Sequence, residues 1–324
     1  MQKLENAVIE KARTLLSDGT VNRVLGWKKG ELGYDVEPCV FNSEAQLENF
    51  VYNVFCGANL SKYLVQESKK EGKILVFLKP CDSYSFNQLI KEHRINKDNV
   101  YTVGVECQGK VDPFKLKQNG IEIVDGAVEE VDSVTITANG CETKFNKDDV
   151  ILGKCSVCEK QLLSYDEVIS FNDKRTSPAN RFEMVKKLEA MTADERYAFW
   201  KDQLSNCIRC NACRNVCPAC TCTKCVFDND NSGIASKANS DSFEEKMFHI
   251  IRAFHVAGRC TDCGECSRVC PQNIPLHLLN RKFISDIDRL YGTYQAGADT
   301  DSKGPLTDYT KNDLDPSEVF GGNN

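Results

Sequence analysis

No apolar run in this 324-residue chain approaches membrane length. Ile74-Leu75-Val76-Phe77-Leu78 is the run near the centre, where a spanning helix needs about 20 such residues. The opening residues, Met1-Gln2-Lys3-Leu4-Glu5-Asn6, hold no apolar export segment. Lys and Arg number 41 against 47 Asp and Glu, a net charge of −6 with no basic stripe, which argues against nucleic acid. No Walker loop, catalytic triad or paired-carboxylate pattern stands out, and histidines number only 4. Hydrolytic and phosphate-cradling chemistries thus lose their usual signatures. Cysteine, in contrast, is abundant.

Of 18 cysteines, eight fall into two runs of the form C-x2-C-x2-C-x3-C-P: Cys207, Cys210, Cys213, Cys217 with Pro218, and Cys260, Cys263, Cys266, Cys270 with Pro271. Four thiolates at this spacing fit a cubane cluster, and in the two-cluster arrangement the fourth cysteine of each run ligates the other cluster. The expected sets are therefore Cys207, Cys210, Cys213 and Cys270 for one [4Fe-4S] cluster, and Cys260, Cys263, Cys266 and Cys217 for the other. Zinc ordinarily takes C-x2-C pairs separated by longer gaps. A secreted disulfide scaffold is disfavoured by the metal spacings and the absent export segment. The chain is expected in a reducing cytoplasm, where thiolates stay available to iron.

Length suggests two domains, and the pattern is α+β overall. Residues 1–171 read as an α/β domain with a largely parallel sheet. Within it, 44–55 carries Leu47, Phe50, Val51, Val54 and Phe55 at helical spacing after Ser43. Lys73–Lys79 reads as a strand buried on both faces, Ser83–His93 as a helix and Val100–Val105 as a second strand, together a βαβ unit. A hairpin follows around Asn139-Gly140. Residues 172–191 read as a linker, and Thr192 to Glu195 is a capping box opening a helix over 193–205. Residues 192–294 form an expected α-helical ferredoxin-like domain, because a long connection separates the two runs. That connection includes a helix with Phe243, Met247, Ile250, Ile251 and Phe254 at helical spacing. Residues 295–324 are polar and read as a tail, or as an arm that wraps a partner.

Ten cysteines remain. Cys81 and Cys107 follow adjacent strands, and parallel strands deliver their C-terminal ends to one edge. With the pair Cys155 and Cys158 they make a candidate third [4Fe-4S] site; each taken alone reads as a small buried hydrophobe. Cys220, Cys222 and Cys225 follow the first run too densely for packing residues. They are read as a fourth metal site completed by Cys56, as a zinc site, or as a shield for the neighbouring cluster. Cys39 and Cys141 read as structural. Arg209, Arg214 and Arg259 flank cluster cysteines, where a positive charge favours the reduced state unless solvent takes it up. His249, His255 and His277 read as surface or packing residues.

Lys79-Pro80-Cys81-Asp82, Gly104-Val105-Glu106-Cys107-Gln108-Gly109 and Cys155–Cys158 resemble strings of the iron–sulfur beta subunit of deazaflavin-reducing hydrogenases and dehydrogenases. The two C-terminal runs look like those of dicluster electron-transfer proteins that accompany formate dehydrogenases and heterodisulfide-reductase-like complexes. The likeness spans about residues 50–295. It implies a one-cluster α/β domain beside a two-cluster domain, and other redox subunits (formate dehydrogenase, hydrogenase or a heterodisulfide-reductase-like flavoprotein) as partners. The expectation is a relay subunit of an anaerobic oxidoreductase complex, without direct membrane insertion. The resemblance also raises an alternative in which FAD sits in the α/β domain and exchanges electrons with a deazaflavin or nicotinamide. The missing Gly-x-Gly-x-x-Gly fingerprint weighs against it.

Overall fold

The computed structural model describes residues 2–170, 180–229 and 242–307. Strands β1 (Arg23–Lys29), β2 (Val36–Phe41), β3 (Ile74–Leu78), β4 (Val100–Val105) and β8 (Glu167–Ile169) form one sheet in the order β2-β1-β3-β4-β8. Only β1–β2 is antiparallel; β1–β3, β3–β4 and β4–β8 are parallel. Side chains of β3 alternate between faces, and all five are buried, so both faces are covered. The Gln2–Ser17 helix packs on β1 and β8, and the Pro80–Lys91 helix on β3 and β4. The N-terminal half is largely parallel and the C-terminal half helical, as the sequence suggests.

The Pro80–Lys91 helix starts where Pro80 fixes the first turn and Lys79 is fully buried. Lys79 Nζ donates to the Ala58 carbonyl and to Asp82 Oδ2, both at 2.8 Å, and lies over the Trp27 ring. This interior ion pair holds the β3-to-helix turn in place. Strands β5 (Gly126–Glu129), β6 (Ser133–Ala138) and β7 (Cys141–Asn146) make a second, antiparallel sheet. Its hairpin turns at Asn139 and Gly140, both at positive φ (51° and 74°), as a tight primed turn requires. Cys141 beside this turn is exposed and Cys39 is half-buried.

Two sequence expectations change. Residues 44–55 do not form a helix: Glu44–Asn49 is a short 3-10 turn and Phe50 leaves it in extended conformation. The Val51 amide then bonds to the Trp27 carbonyl of β1. The five apolar residues of that segment are buried nonetheless. The Ser242–His255 helix is present, but it buries Phe248, His249, Arg252 and Ala253, while Ile250 and Phe254 are exposed.

Helices Glu183–Glu189, Ala193–Ser205, Ser242–His255 and His277–Tyr291 pack together in the C-terminal half. The Thr192–Glu195 capping box opens the second of them. Of the linker 172–191, residues 172–179 lie outside the described residues. Of the polar segment 295–324, residues 295–307 are described. Within this strap the Gly297 carbonyl accepts from Asn87 Nδ2 at 3.1 Å, and Asp299 pairs with Lys91 at 3.3 Å. Gly297 has φ +75°, and a Cβ there would lie 1.9 Å from the Tyr84 carbonyl oxygen, so only glycine fits.

Candidate metal centres

Both cysteine runs curl through the same left-handed positions. Arg209 and Asn211 have φ of 54° and 60°; their counterparts Asp262 and Gly264 have 56° and 67°. Each run then enters a one-turn helix, Ala212–Asn215 or Glu265–Arg268. The sequence repeat is thus a backbone repeat.

Cys207, Cys210, Cys213 and Cys270 line one small cavity, with Phe248, His249, Ile274 and Leu276 as its walls. Cys270, from the second run, stands with three thiols of the first. Cys217 goes the other way: it packs with Cys260 and Val256 and is an electrostatic neighbour of Cys260, Cys263 and Cys266. Burial pushes the thiols of Cys263 and Cys266 up, to about 12 and about 11. Cys217 is the exception, because the adjacent Cys220 thiol donates to its sulfur and pulls it down.

In the α/β half, β3 and β4 are in register from Ile74↔Val100 to Leu78↔Gly104, so Cys81 and Cys107 leave the same sheet edge. Cys81, Cys155 and Cys158 line a cavity of about 220 Å³ together with Lys154, Lys160 and Cys263 of the second run. Cys107 is an electrostatic neighbour of both Cys155 and Cys158. Burial raises Cys81, and raises Cys155 to about 12. Desolvation brings Lys160, half-buried over the Tyr84 ring, down to about 8.

Thiols this buried resist ionising unless a cation draws the proton off, which is what binding to iron does. Three all-thiol groups with few competing oxygen donors suit soft iron–sulfur ligation. Among the described residues no three His, Cys, Asp or Glu side chains close on a single ion. A cubane, which holds its thiolates apart at its corners, needs no such convergence.

Cys220, Cys222 and Cys225 line a wider cavity of about 510 Å³ with Lys62, Arg214, Lys224, Arg252 and Arg259. Cys56 is not among them. It is buried in the α/β core, where its sulfur accepts from the Asn53 amide at 3.3 Å and its thiol faces the Val51 carbonyl.

The histidines divide. His255 is exposed, whereas His249 is buried with Nε2 3.2 Å from Cys207 Sγ. Burial holds His249 neutral, at about 3, so its Nε2–H can donate to a cysteine thiolate. His277 Nδ1 meets Ser267 Oγ at 2.8 Å. Arg214 pairs with Asp228 at 2.8 Å and Arg259 with Glu92, while Arg209 lies buried over the Phe248 ring. Sequence reading passed over Arg252, Asn280 (Nδ2 3.7 Å from Cys266 Sγ) and Glu265. The signal available was Arg252 standing three residues after His249 on one helical face.

Glu265 joins the halves. It is 1 % exposed; Oε1 accepts from Lys154 Nζ and from Arg268 Nε at 2.9 Å, and Oε2 from Arg268 Nη2 at 2.8 Å and the Asn59 amide at 3.1 Å. The Arg268 and Lys154 cations hold its carboxyl well below the usual range despite burial. Ser85 and Thr261 add a hydroxyl pair at 2.9 Å across the same seam.

Residues 203–274 match a family model described as a 4Fe-4S dicluster domain. The chain is 24% identical over 344 residues to the F420-dependent formate dehydrogenase subunit beta of Methanocaldococcus jannaschii, covering 85% of this chain and 90% of that one. It is 27% identical over 358 residues to F420-dependent formate dehydrogenase 1 subunit beta of Methanococcus maripaludis, covering 91% of each. A chain of the F420-reducing [NiFe] hydrogenase complex from Methanosarcina barkeri aligns loosely, with TM-score 0.37 and 14% identity over 47% of this chain and 62% of that one. No helix among the described residues is long and apolar enough to cross a membrane. The chain is an iron–sulfur protein with a 4Fe-4S dicluster domain, and over most of its length it is similar to beta subunits of F420-dependent formate dehydrogenases.

Proposed function

We propose that this chain relays single electrons within an oxidoreductase complex, along three [4Fe-4S] sites in a row. The observation that carries this reading is the shared cavity of Cys263 with Cys81, Cys155 and Cys158, which puts the second run beside the α/β site. Cys207, Cys210, Cys213 and Cys270 hold one end, Cys260, Cys263, Cys266 and Cys217 the middle, and Cys81, Cys107, Cys155 and Cys158 the other end. Exposure supports the order: each end set has one exposed cysteine, Cys210 or Cys158, while the middle set has none, with Cys217, Cys263 and Cys266 buried and Cys260 half-buried. A relay needs ends that partners can approach and a middle shielded from water. When bound, the clusters supply one-electron chemistry between adjacent oxidation states. The names of the relatives favour a formate dehydrogenase complex as the setting. Cys220, bonded to Cys217, fits the shielding role among the three readings of its group.

The test is iron, acid-labile sulfide and flavin content of the full chain purified without oxygen. Three cubanes give about twelve iron and about twelve sulfide per chain. Stoichiometric FAD would overturn the pure relay in favour of a flavin-dependent exchange with a deazaflavin or nicotinamide. About eight iron would remove the α/β site.

A further inference from the structure

Arg252 is 3 % exposed, on the face of the Ser242–His255 helix that turns towards the cysteine runs. Its Nη2 donates to the Cys213 carbonyl at 3.1 Å, and its buried Nε has no hydrogen-bond partner. Four other arginines of this half sit on carboxylates: Arg214 on Asp228, Arg259 on Glu92, Arg268 on Glu265 and Arg281 on Asp262. Among the described residues no carboxylate pairs with Arg252. A guanidinium stays charged at any pH a protein tolerates, and an unpaired buried charge is strongly disfavoured. Something negative must therefore stand opposite it when the protein is complete.

Its electrostatic neighbours are Cys217, Cys266, Cys213 and Cys220, and besides bonding the Cys213 carbonyl it lines one cavity with Cys220. Cys213 belongs to the first thiol set, and Cys217 and Cys266 to the second. A cubane held by four thiolates carries net negative charge, and one added electron makes it more negative. We infer that Arg252 is the fixed counter-charge shared by the two ferredoxin-type clusters, a positioning residue that raises both reduction potentials together. The inference rests on the two-cluster reading of these thiols. It also gives the long connection between the runs a task, since the helix inserted there delivers this charge. His249, on the same helix, meets Cys207 and lines the cavity of the first thiol set, so it acts on the first cluster.

The experiment is a dithionite titration of the full chain, loaded with clusters and followed by EPR at fixed ambient potentials. Dithionite donates one electron per cluster, and no proton is taken up at Arg252. In Arg252→Met the reduced-to-oxidised ratio of both ferredoxin-type clusters is expected to fall about tenfold at a given potential, ~59 mV for a one-electron couple. The α/β site should not move. His249→Phe should shift one signal only. Arg252→Lys, which keeps the charge, should restore both ratios to within about threefold of the parent. Should the Met variant fail to assemble, the Lys variant decides alone, and a tenfold fall there overturns the inference. Unchanged potentials in an assembled Met variant, a shift of one cluster only, or an equal shift of all three also overturn it. Absence of two cubane signals in the parent chain would instead remove the two-cluster reading itself.

Discussion

In the first cysteine run Ile208 is 61 % exposed and Cys210 meets solvent; in the second, the counterparts Thr261 and Cys263 are buried. The backbone is the same in both, down to the two left-handed residues. The difference lies in what packs outside. Position 211 is an asparagine with room for its side chain, whereas at Gly264 a Cβ would come within 2.5 Å of Lys154 Cβ. The next position is Ala212 in the first run and the four-bonded Glu265 in the second. Cysteine spacing is thus common to both runs, and the residues between the cysteines specify what each run packs against. One run was left as a surface end, and the other became the joint to the α/β domain.

The largest expected contrast comes from removing the two crossing ligands. Cys270→Ser and Cys217→Ser should each lose about four of about twelve iron. In Cys270→Ser the reduced middle and α/β clusters should still broaden each other's EPR signals. In Cys217→Ser that magnetic coupling should vanish, because the middle is gone. Equal coupling in both variants would undo the assignment of ends and middle.

Next is Glu265→Ala, which strands the Lys154 and Arg268 cations at the seam. A loss of about 3–5 kcal/mol is expected, read by denaturant unfolding of the loaded chain. Ala212→Ser, at the matching place in the first run, should stay within about 0.5 kcal/mol. Transplanting the first run's residue sharpens the comparison further. Asparagine tolerates the left-handed φ, so Gly264→Asn should suffer mainly from the clash with Lys154, about 1–3 kcal/mol. Asn211→Gly should cost no more than about 1 kcal/mol. Similar losses at the two positions would mean that the interface does not set the glycine.

The smallest effect is one of pH. Burial, helped by Arg281, holds His277 down at about 4 from an ordinary 6.5. A lowered folded value means that the unfolded chain takes up the proton first, so this contribution is full above pH 6.5 and lost on descent towards pH 4. Unfolding midpoints between pH 7.5 and 4.5 should fall more steeply in the parent chain than in His277→Gln. Parallel slopes would show that His277 titrates normally.

Much of this was legible in the residues. Ligand spacing marks both runs, and the equal reach of Cys81 and Cys107 past their strands follows from β3 and β4 being parallel neighbours. The buried face of the Ser242–His255 helix was not legible. Hydropathy selects Ile250 and Phe254 as its inner stripe, yet Phe254 pairs on the outside with Phe283 at 4.7 Å between ring centroids. The inner stripe holds His249 and Arg252 because the core it faces is built of thiols that carry negative charge once ionised. Hydropathy assumes an oily interior, and here that assumption fails. Residues 44–55 misled for another reason: their helical spacing is satisfied by burial against β1 in a 3-10 and extended path. Cys56, grouped in sequence reading with Cys220, Cys222 and Cys225, packs in that same core.

The strap formed by residues 295–307 bears on speed as well as stability. It runs back over the Pro80–Lys91 helix through Gly297 and Asp299, and its Pro305 carbonyl lies against Gly258, just before the second run. The strap therefore links the Pro80–Lys91 helix of the α/β half to the segment just before the second run. Tunnelling falls exponentially with distance, so a chain of hops runs at the pace of its widest gap. A seam free to breathe would make that gap fluctuate and let water in when widest. In the proposed relay, a strap clasped across the seam would hold that gap near one value, as a spacer does in an electrical device.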